Sequence, residues 1–193
     1  MIVRDADRRD LARVAALHAD RIAEGFLPRL GRPFLERLYR RVLLRPDAFV
    51  IVAADDDRTV GFVAVAADLG ALYRSFVVRD GAVAGLRAAP RILASLKRVL
   101  ETLRYPASER DLPDAEILAV AVEASAAGRG VGRALVDAAT ARMEALGVRA
   151  VKVVTAADNV PALGLYRSCG FTTRARVEVH GGTPSEVLVW TAS

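Results

Sequence analysis

The chain has 193 residues, 53% of them hydrophobic and 26% charged, and a net charge of +5. That length suits one ordinary domain, expected to span 1–193, and the composition excludes a disordered chain. The basic surplus suits an anionic partner, whether nucleotide, polyphosphate cofactor, nucleic acid or membrane surface, and does not choose among them.

The first ten residues, "MIVRDADRRD", are charged and lack the apolar stretch of a signal peptide. Ile2 and Val3 open a short strand. Asp7 and Asp10 approximate a capping box ahead of an amphipathic helix, "RRDLARVAALHADRIA", with Leu11, Val14, Ala15, His18 and Ile22 on one stripe. His18 on that stripe reads as a packed core residue. Pro33 suits the first turn of a second helix whose apolar face carries Phe34, Leu35, Leu38, Tyr39, Val42 and Leu43. Ala48 to Ala54 and Thr59 to Ala67 read as a strand hairpin about "DDDR". The longest near-apolar run, Val60 to Tyr73, is broken by Gly61, Asp68 and Gly70 and falls short of the ~18 residues of a membrane span. Asp68 to Asp114 is ambiguous, apart from a helix in "APRILASLKRVLETLR" and a polar loop in "YPASERDLPDA". Beyond it, Glu116 to Val122 is a strand, Val131 to Leu146 a helix with Leu135, Ala138, Ala139, Met143 and Leu146 inward, and Gly147 a stop. Ala150 to Thr155 is a strand and Val160 to Cys169 a short helix. Phe171 to His180 and Glu186 to Thr191 are strands joined at "GGTP". Cys169 is the only cysteine, so no disulfide forms within the chain, and a reduced cytoplasmic setting fits. The layout implies an α/β (α+β) sheet with helices on both faces.

The chemistry concentrates in "AAGRGVGRAL", Ala126 to Leu135, between a strand and a helix. A helix start offers unpaired N–H groups and the positive end of a dipole, and glycine lets a ligand approach the backbone closely. Together these describe an anion site. A Walker loop needs Gly-Lys-Ser/Thr, which is absent. A dinucleotide G-x-G-x-x-G fails because its third glycine falls on Arg133 or Leu135. The remaining option is a loop for the pyrophosphate of acetyl-CoA.

Here the chain resembles the GCN5-related N-acetyltransferases (GNAT). Their loop reads Gln/Arg-x-x-Gly-x-Gly/Ala, matched by Ala127-Gly128-Arg129-Gly130-Val131-Gly132 with Ala127 in place of the leading Gln or Arg. "NVPALGLYRSCGF" is similar to the family's later segment, with Asn159, Leu165, Tyr166, Gly170 and Phe171 in its positions, and "AEILAVAV" to its central strand. The likeness is close over 115–172. It implies a central mixed, mostly antiparallel sheet splayed at its middle. Between the third and fourth strands, which the family's minimal fold connects much more briefly, this chain is expected to carry an extra helical insertion at about 70–112.

The resemblance further implies acetyl-CoA as cosubstrate and direct attack by an acceptor amine on its thioester. The pyrophosphate would sit on the N–H groups of Arg129, Gly130, Val131, Gly132, Arg133 and Ala134, preceded by Ala127 and Gly128. The pantetheine arm would pair with the backbone of Val120, Ala121 and Val122, and the oxyanion would take an N–H near Val122. Glu116 falls where histone-modifying members keep their general base; Glu123 and water are the other candidates. Strand alternation would point Glu116 and Glu123 to opposite faces. Tyr166 matches the general acid. Asn159 either bonds the pantetheine region or caps its helix.

Cys169 has no histidine partner by motif and reads as a small buried residue. No metal-ligand spacing occurs. The basic helix around Arg91, Lys97 and Arg98 is interrupted by Glu101 and lacks interleaved aromatics, which argues against nucleic acid. The expected partner is a small-molecule or peptide amine, with no nucleic acid and no membrane. A second copy of the chain competes with an acceptor-site wall as the role for the 68–114 insertion. The alternative function is a non-catalytic acyl-CoA-binding or sensing domain on the same fold.

Overall fold

The sheet is built outward from two apolar runs. In the computed structural model, which describes residues 1–22, 31–56, 58–79, 112–178 and 184–192, β2 (Ala48–Asp55) and β3 (Arg58–Ala66) are buried along nearly their whole length. A strand covered on both faces carries a continuous apolar run rather than a polar alternation. β1 (Ile2–Asp5) pairs antiparallel with β2, and β4 (Glu116–Val122) antiparallel with β3. β5 (Ala150–Ala156), β6 (Thr172–Glu178) and β7 (Pro184–Thr191) complete a seven-stranded sheet in the order β1-β2-β3-β4-β5-β7-β6. β4 and β5 run parallel and share the single register pair Glu116↔Lys152. The sheet is therefore mixed, mostly antiparallel and splayed at its middle, as the sequence leads one to expect.

Helices cover both faces. On one side lie α1 (Leu11–Arg21), α2 (Arg32–Leu43) and the start of α3 (Leu69–Arg79). Val14, Leu17, Leu35, Tyr39, Val42 and Leu72 pack there on Val50, Val52, Phe62, Ala64, Ala119 and Ala121. On the other side α4 (Val131–Ala145) and α5 (Val160–Ser168) bring Leu135, Val136, Ala139, Met143 and Leu163 onto Ile51, Val63, Val65, Ile117, Val151 and Leu188. His18 is buried in the first layer, its Nδ1 2.5 Å from the Tyr39 hydroxyl and its ring stacked on Phe62. Desolvation lowers its pKa to about 4, so it is neutral. Among the described residues no helix is long and apolar enough to cross a membrane.

Several elements differ from expectation for local reasons. α1 begins at Leu11 rather than Arg8, because the Asp10 carboxylate accepts from the Asp7 N–H, Arg4 and Thr59 and holds residues 8–10 in a turn. Leu146 is 50% exposed rather than inward, since it follows the last turn of α4 beside the left-handed stop at Gly147. α3 was not anticipated; Asp68 Oδ1 accepts from the Ala71 N–H and starts it. The helix expected over "APRILASLKRVLETLR" and the "GGTP" junction lie outside the described residues, apart from Pro184 at the start of β7.

β4 carries a bulge. Its pairing slips between Ala64↔Ala119 and Val65↔Ile117, leaving Leu118 extra. Leu118 and Ala119 both lie with the α1/α2 core, whereas Ile117, Val120 and Val122 lie with the other. The expected opposition of Glu116 and Glu123 is thereby overturned. The extra residue resets the alternation, and both fall on the α1/α2 side.

Gly61 of β3 seats α4 on the sheet: a Cβ there would lie 3.1 Å from the Ala121 carbonyl oxygen, 3.1 Å from Leu135 and 3.2 Å from Val131. Gly61→Ala should therefore cost about 1–3 kcal/mol by overpacking, read as a lower midpoint in urea denaturation. An unchanged midpoint would show that α4 is not seated there.

Candidate active site

Past the bulge, β4 turns alternate backbone groups to opposite neighbours. The Glu123 N–H donates to the Val60 carbonyl at 2.7 Å, so the odd positions face β3. The N–H and C=O groups of Val120 and Val122 consequently face β5, which has diverged after Lys152. Such an edge can take an extended chain as one more strand. Arg21, at the end of α1, already reaches it: its Nε donates to the Val122 carbonyl at 3.1 Å.

The glycine loop follows directly. A short 3₁₀ turn, Ala124–Ala126, leads to the exposed Ala127, and Gly128 and Gly130 stand at φ +73° and +78°. A Cβ at either would touch nothing, so these two are glycine for their backbone angles. Gly132 differs, since its Cβ would come 3.2 Å from Leu165 of α5; it lets the two helices close. Gly130 is the N-cap of α4, and the first helical bond runs from Ala134 N–H to Gly130 O. The N–H groups of Val131, Gly132 and Arg133 therefore have no partner within the helix, and its first turn carries no acidic residue. This suits an anion. Arg129 lies 4.0 Å from Asp55, and Arg133 pairs with Asp137 at 3.5 Å.

Glu116 stands where the strands part. Its side chain is 12% exposed, with Oε2 3.7 Å from Lys152 Nζ. No hydrogen bond reaches that oxygen. Desolvation raises its pKa to about 7, against the opposing pull of Lys152. A carboxyl so poised can take a proton near neutral pH. Glu123 is engaged differently: Arg13 of α1 meets it at 3.0 Å, and Arg58 of β3 forms a close ion pair with it. It borders a polar cleft of about 540 Å³ shared with Asp55, Asp56, Arg58 and Arg129, on the β3 side of the loop.

Tyr166 is 5% exposed on α5, its ring 5.5 Å from Phe171, and burial raises its pKa. It belongs to the same apolar cluster as Ile117. Asn159 caps α5 by accepting from the Ala162 N–H at 3.2 Å, which leaves its Nδ2 as a donor. Cys169 is partly buried and its thiol is pushed up to about 11, chiefly by desolvation, so it is a poor nucleophile. Sequence reasoning missed Arg21 and Lys152. A lone lysine inside the apolar "AVKVVTA" was the readable signal for the second; nothing signalled the first.

A profile described as the Acetyltransferase (GNAT) family matches residues 15–171. Among curated proteins, mycothiol acetyltransferase of Sanguibacter keddieii is 40% identical over 86 residues, 44% of this chain and 27% of that one. The mycothiol acetyltransferase of Pseudarthrobacter chlorophenolicus is 46% identical over 57 residues, 30% of this chain and 18% of that one. The matches thus span about a quarter or less of these relatives. Among solved structures, a GCN5-related N-acetyltransferase from Kribbella flavida aligns with a TM-score of 0.66 at 21% identity, covering 99% of this chain and 97% of that one. A chain from Salmonella typhimurium solved with its cofactor acetyl-CoA aligns with a TM-score of 0.65 at 15% identity, covering 98% and 92%. With more than half of its length matched by the family profile, the chain belongs to the acetyltransferase (GNAT) family.

Proposed function

We propose that this protein transfers the acetyl group of acetyl-CoA to a primary amine within a ternary complex. The observation that carries this reading is the conjunction at the splay. A strand edge at Val120 to Val122 meets a glycine-capped helix start at one end and the buried carboxyl of Glu116 at the other. The edge suits the pantetheine amides, and the N–H groups from Arg129 to Ala134 suit the pyrophosphate. Family membership and the relatives' acetyltransferase names support the same chemistry.

The chain's own residues then divide the work. An alkylammonium with a pKa of about 10 is mostly protonated at pH 7, so Glu116 Oε2 takes its proton, directly or through water. The neutral nitrogen attacks the thioester carbonyl, whose developing oxyanion is held by a backbone N–H of β4 near Val122. The N–C bond forms, the C–S bond breaks, and the thiolate takes a proton from the Tyr166 hydroxyl. The Nδ2 of Asn159 adds a donor toward the pantetheine. The acceptor is a small molecule or peptide presented from the α1/α2 side, where Glu116 lies. The relatives named mycothiol acetyltransferase make a small-molecule amine a suitable first choice.

Release of free thiol from acetyl-CoA across a library of primary amines tests the proposal. Tight coenzyme A binding with no turnover on any amine would instead support a sensing domain. Glu116→Gln should lower kcat/KM at pH 7 about 100-fold and Tyr166→Phe should lower kcat about 10- to 100-fold. Retained kcat in Tyr166→Phe would remove the tyrosine from the proton path.

Because Glu116 must be ionised to accept a proton, kcat/KM should rise with pH through about 7. Activity is lost as pH falls below that value, and this limb should vanish in Glu116→Gln. An identical limb in the variant would assign it to another group.

Ala127 supplies no polar side chain beside the anion site. Ala127→Gln should tighten acetyl-CoA binding a few-fold by calorimetry, whereas equal or weaker binding would show that the loop backbone suffices.

A further inference from the structure

Glu116 and Lys152 form the one register pair that β4 and β5 share. Both side chains lie on the α1/α2 side, because Ile117, Val151 and Val153 beside them point into the opposite core. Lys152 is 8% exposed and Glu116 12%, with 3.7 Å between Nζ and Oε2, an ionic contact longer than a hydrogen bond. The ammonium donates a short hydrogen bond to the carbonyl of Pro113, just before β4. The Glu116 oxygen nearest the cation is therefore attracted by it yet receives no hydrogen bond. A buried lysine in an otherwise apolar strand is costly to desolvate, so its packing alone does not account for it.

We infer that Lys152 is a positioning residue for proton transfer: anchored on Pro113, it sets the field at Glu116 while leaving Oε2 open to the acceptor's proton. The inference rests on the transferase reading above. The cation acts in two ways. It opposes the desolvation that raises the Glu116 carboxyl, keeping the ionised form accessible at neutral pH. It also repels the ammonium form of an incoming amine, which favours the neutral nucleophile. Among the described residues, Lys152 is the charged group that acts on the Glu116 carboxyl. β3 places Ala66 opposite Glu116, Asp114 is exposed, and Asp68 is engaged by the Ala71 N–H and lies 3.8 Å from Arg74.

Three variants separate charge from packing. Lys152→Met removes the cation, Lys152→Gln removes it but keeps a donor for Pro113, and Lys152→Arg keeps the charge. The Glu116 side-chain carboxyl is followed by carbon-13 NMR in the intact ligand-free protein, with Glu116→Gln assigning the signal, and pH profiles of kcat/KM are taken with the best amine. In Lys152→Met and Lys152→Gln the titration midpoint and the acidic limb should both move up by about 1 pH unit or more, with Lys152→Arg near wild type. An unmoved midpoint in a folded charge-removing variant overturns the inference, as does a loss of activity in Lys152→Arg equal to that in Lys152→Gln. If Lys152→Met fails to fold, Lys152→Gln decides. If wild type acetylates no amine, the transferase reading falls, while the NMR titration still shows whether Lys152 governs this carboxyl.

Discussion

The rest of the site depends on one constraint: β4 can pair with β5 at Glu116 and Lys152 but not beyond. A parallel neighbour in an otherwise antiparallel sheet requires a crossover, and here the crossover is α4. The helix must therefore begin at the carboxyl end of β4, beside the gap that the divergence opens. Strand edge and glycine-capped helix start are thus two results of one connection, at the kind of topological switch where open sheets bind ligands. The bulge at Leu118 completes the arrangement by turning Glu116 to the side of α1 and α2.

Charged residues hold α1 in place over this gap. Asp10 joins Arg4 of β1 to Thr59 of β3, Arg13 reaches Glu123, and Arg21 reaches the Val122 carbonyl. These ties run from one end of the helix to the other, and two of them end on or beside β4. The apolar layer beneath them, Val14, Leu17, Tyr39 and Phe62, supplies the adhesion; the ion pairs choose where along the sheet the helix sits. Two of these arginines meet carboxylates and one a backbone carbonyl, so they serve the scaffold and not an anionic partner.

Legibility in the sequence followed the range of the physics involved. β2 and β3 were readable because burial on both faces leaves a continuous apolar run, and α4 because its glycine start, helix periodicity and Gly147 stop are local. The glycines themselves were readable only as a set: Gly128 and Gly130 serve backbone angles, whereas Gly132 serves the contact with Leu165, a residue far along the chain. The bulge could not be read, since one extra residue in β4 leaves no mark in composition and reveals itself only against β3. For the same reason the Glu116–Lys152 pair was half visible. Glu116 was singled out and Lys152 was passed over, and their meeting depends on the register of two strands separated by a helix.

His18 and the Glu116 carboxyl give the α1/α2 side of the sheet two separate responses to acid. The histidine is neutral in the fold and ordinarily protonates near 6.5 when unfolded, so the packing it supports is complete above that value and weakens as pH falls toward 4. The Glu116 carboxyl gains its proton about the neutral point. On acidification this carboxyl is therefore protonated before the loss at His18 is complete. The charge at the splay thus changes first, and the layer around His18 loosens over the pH range just below it.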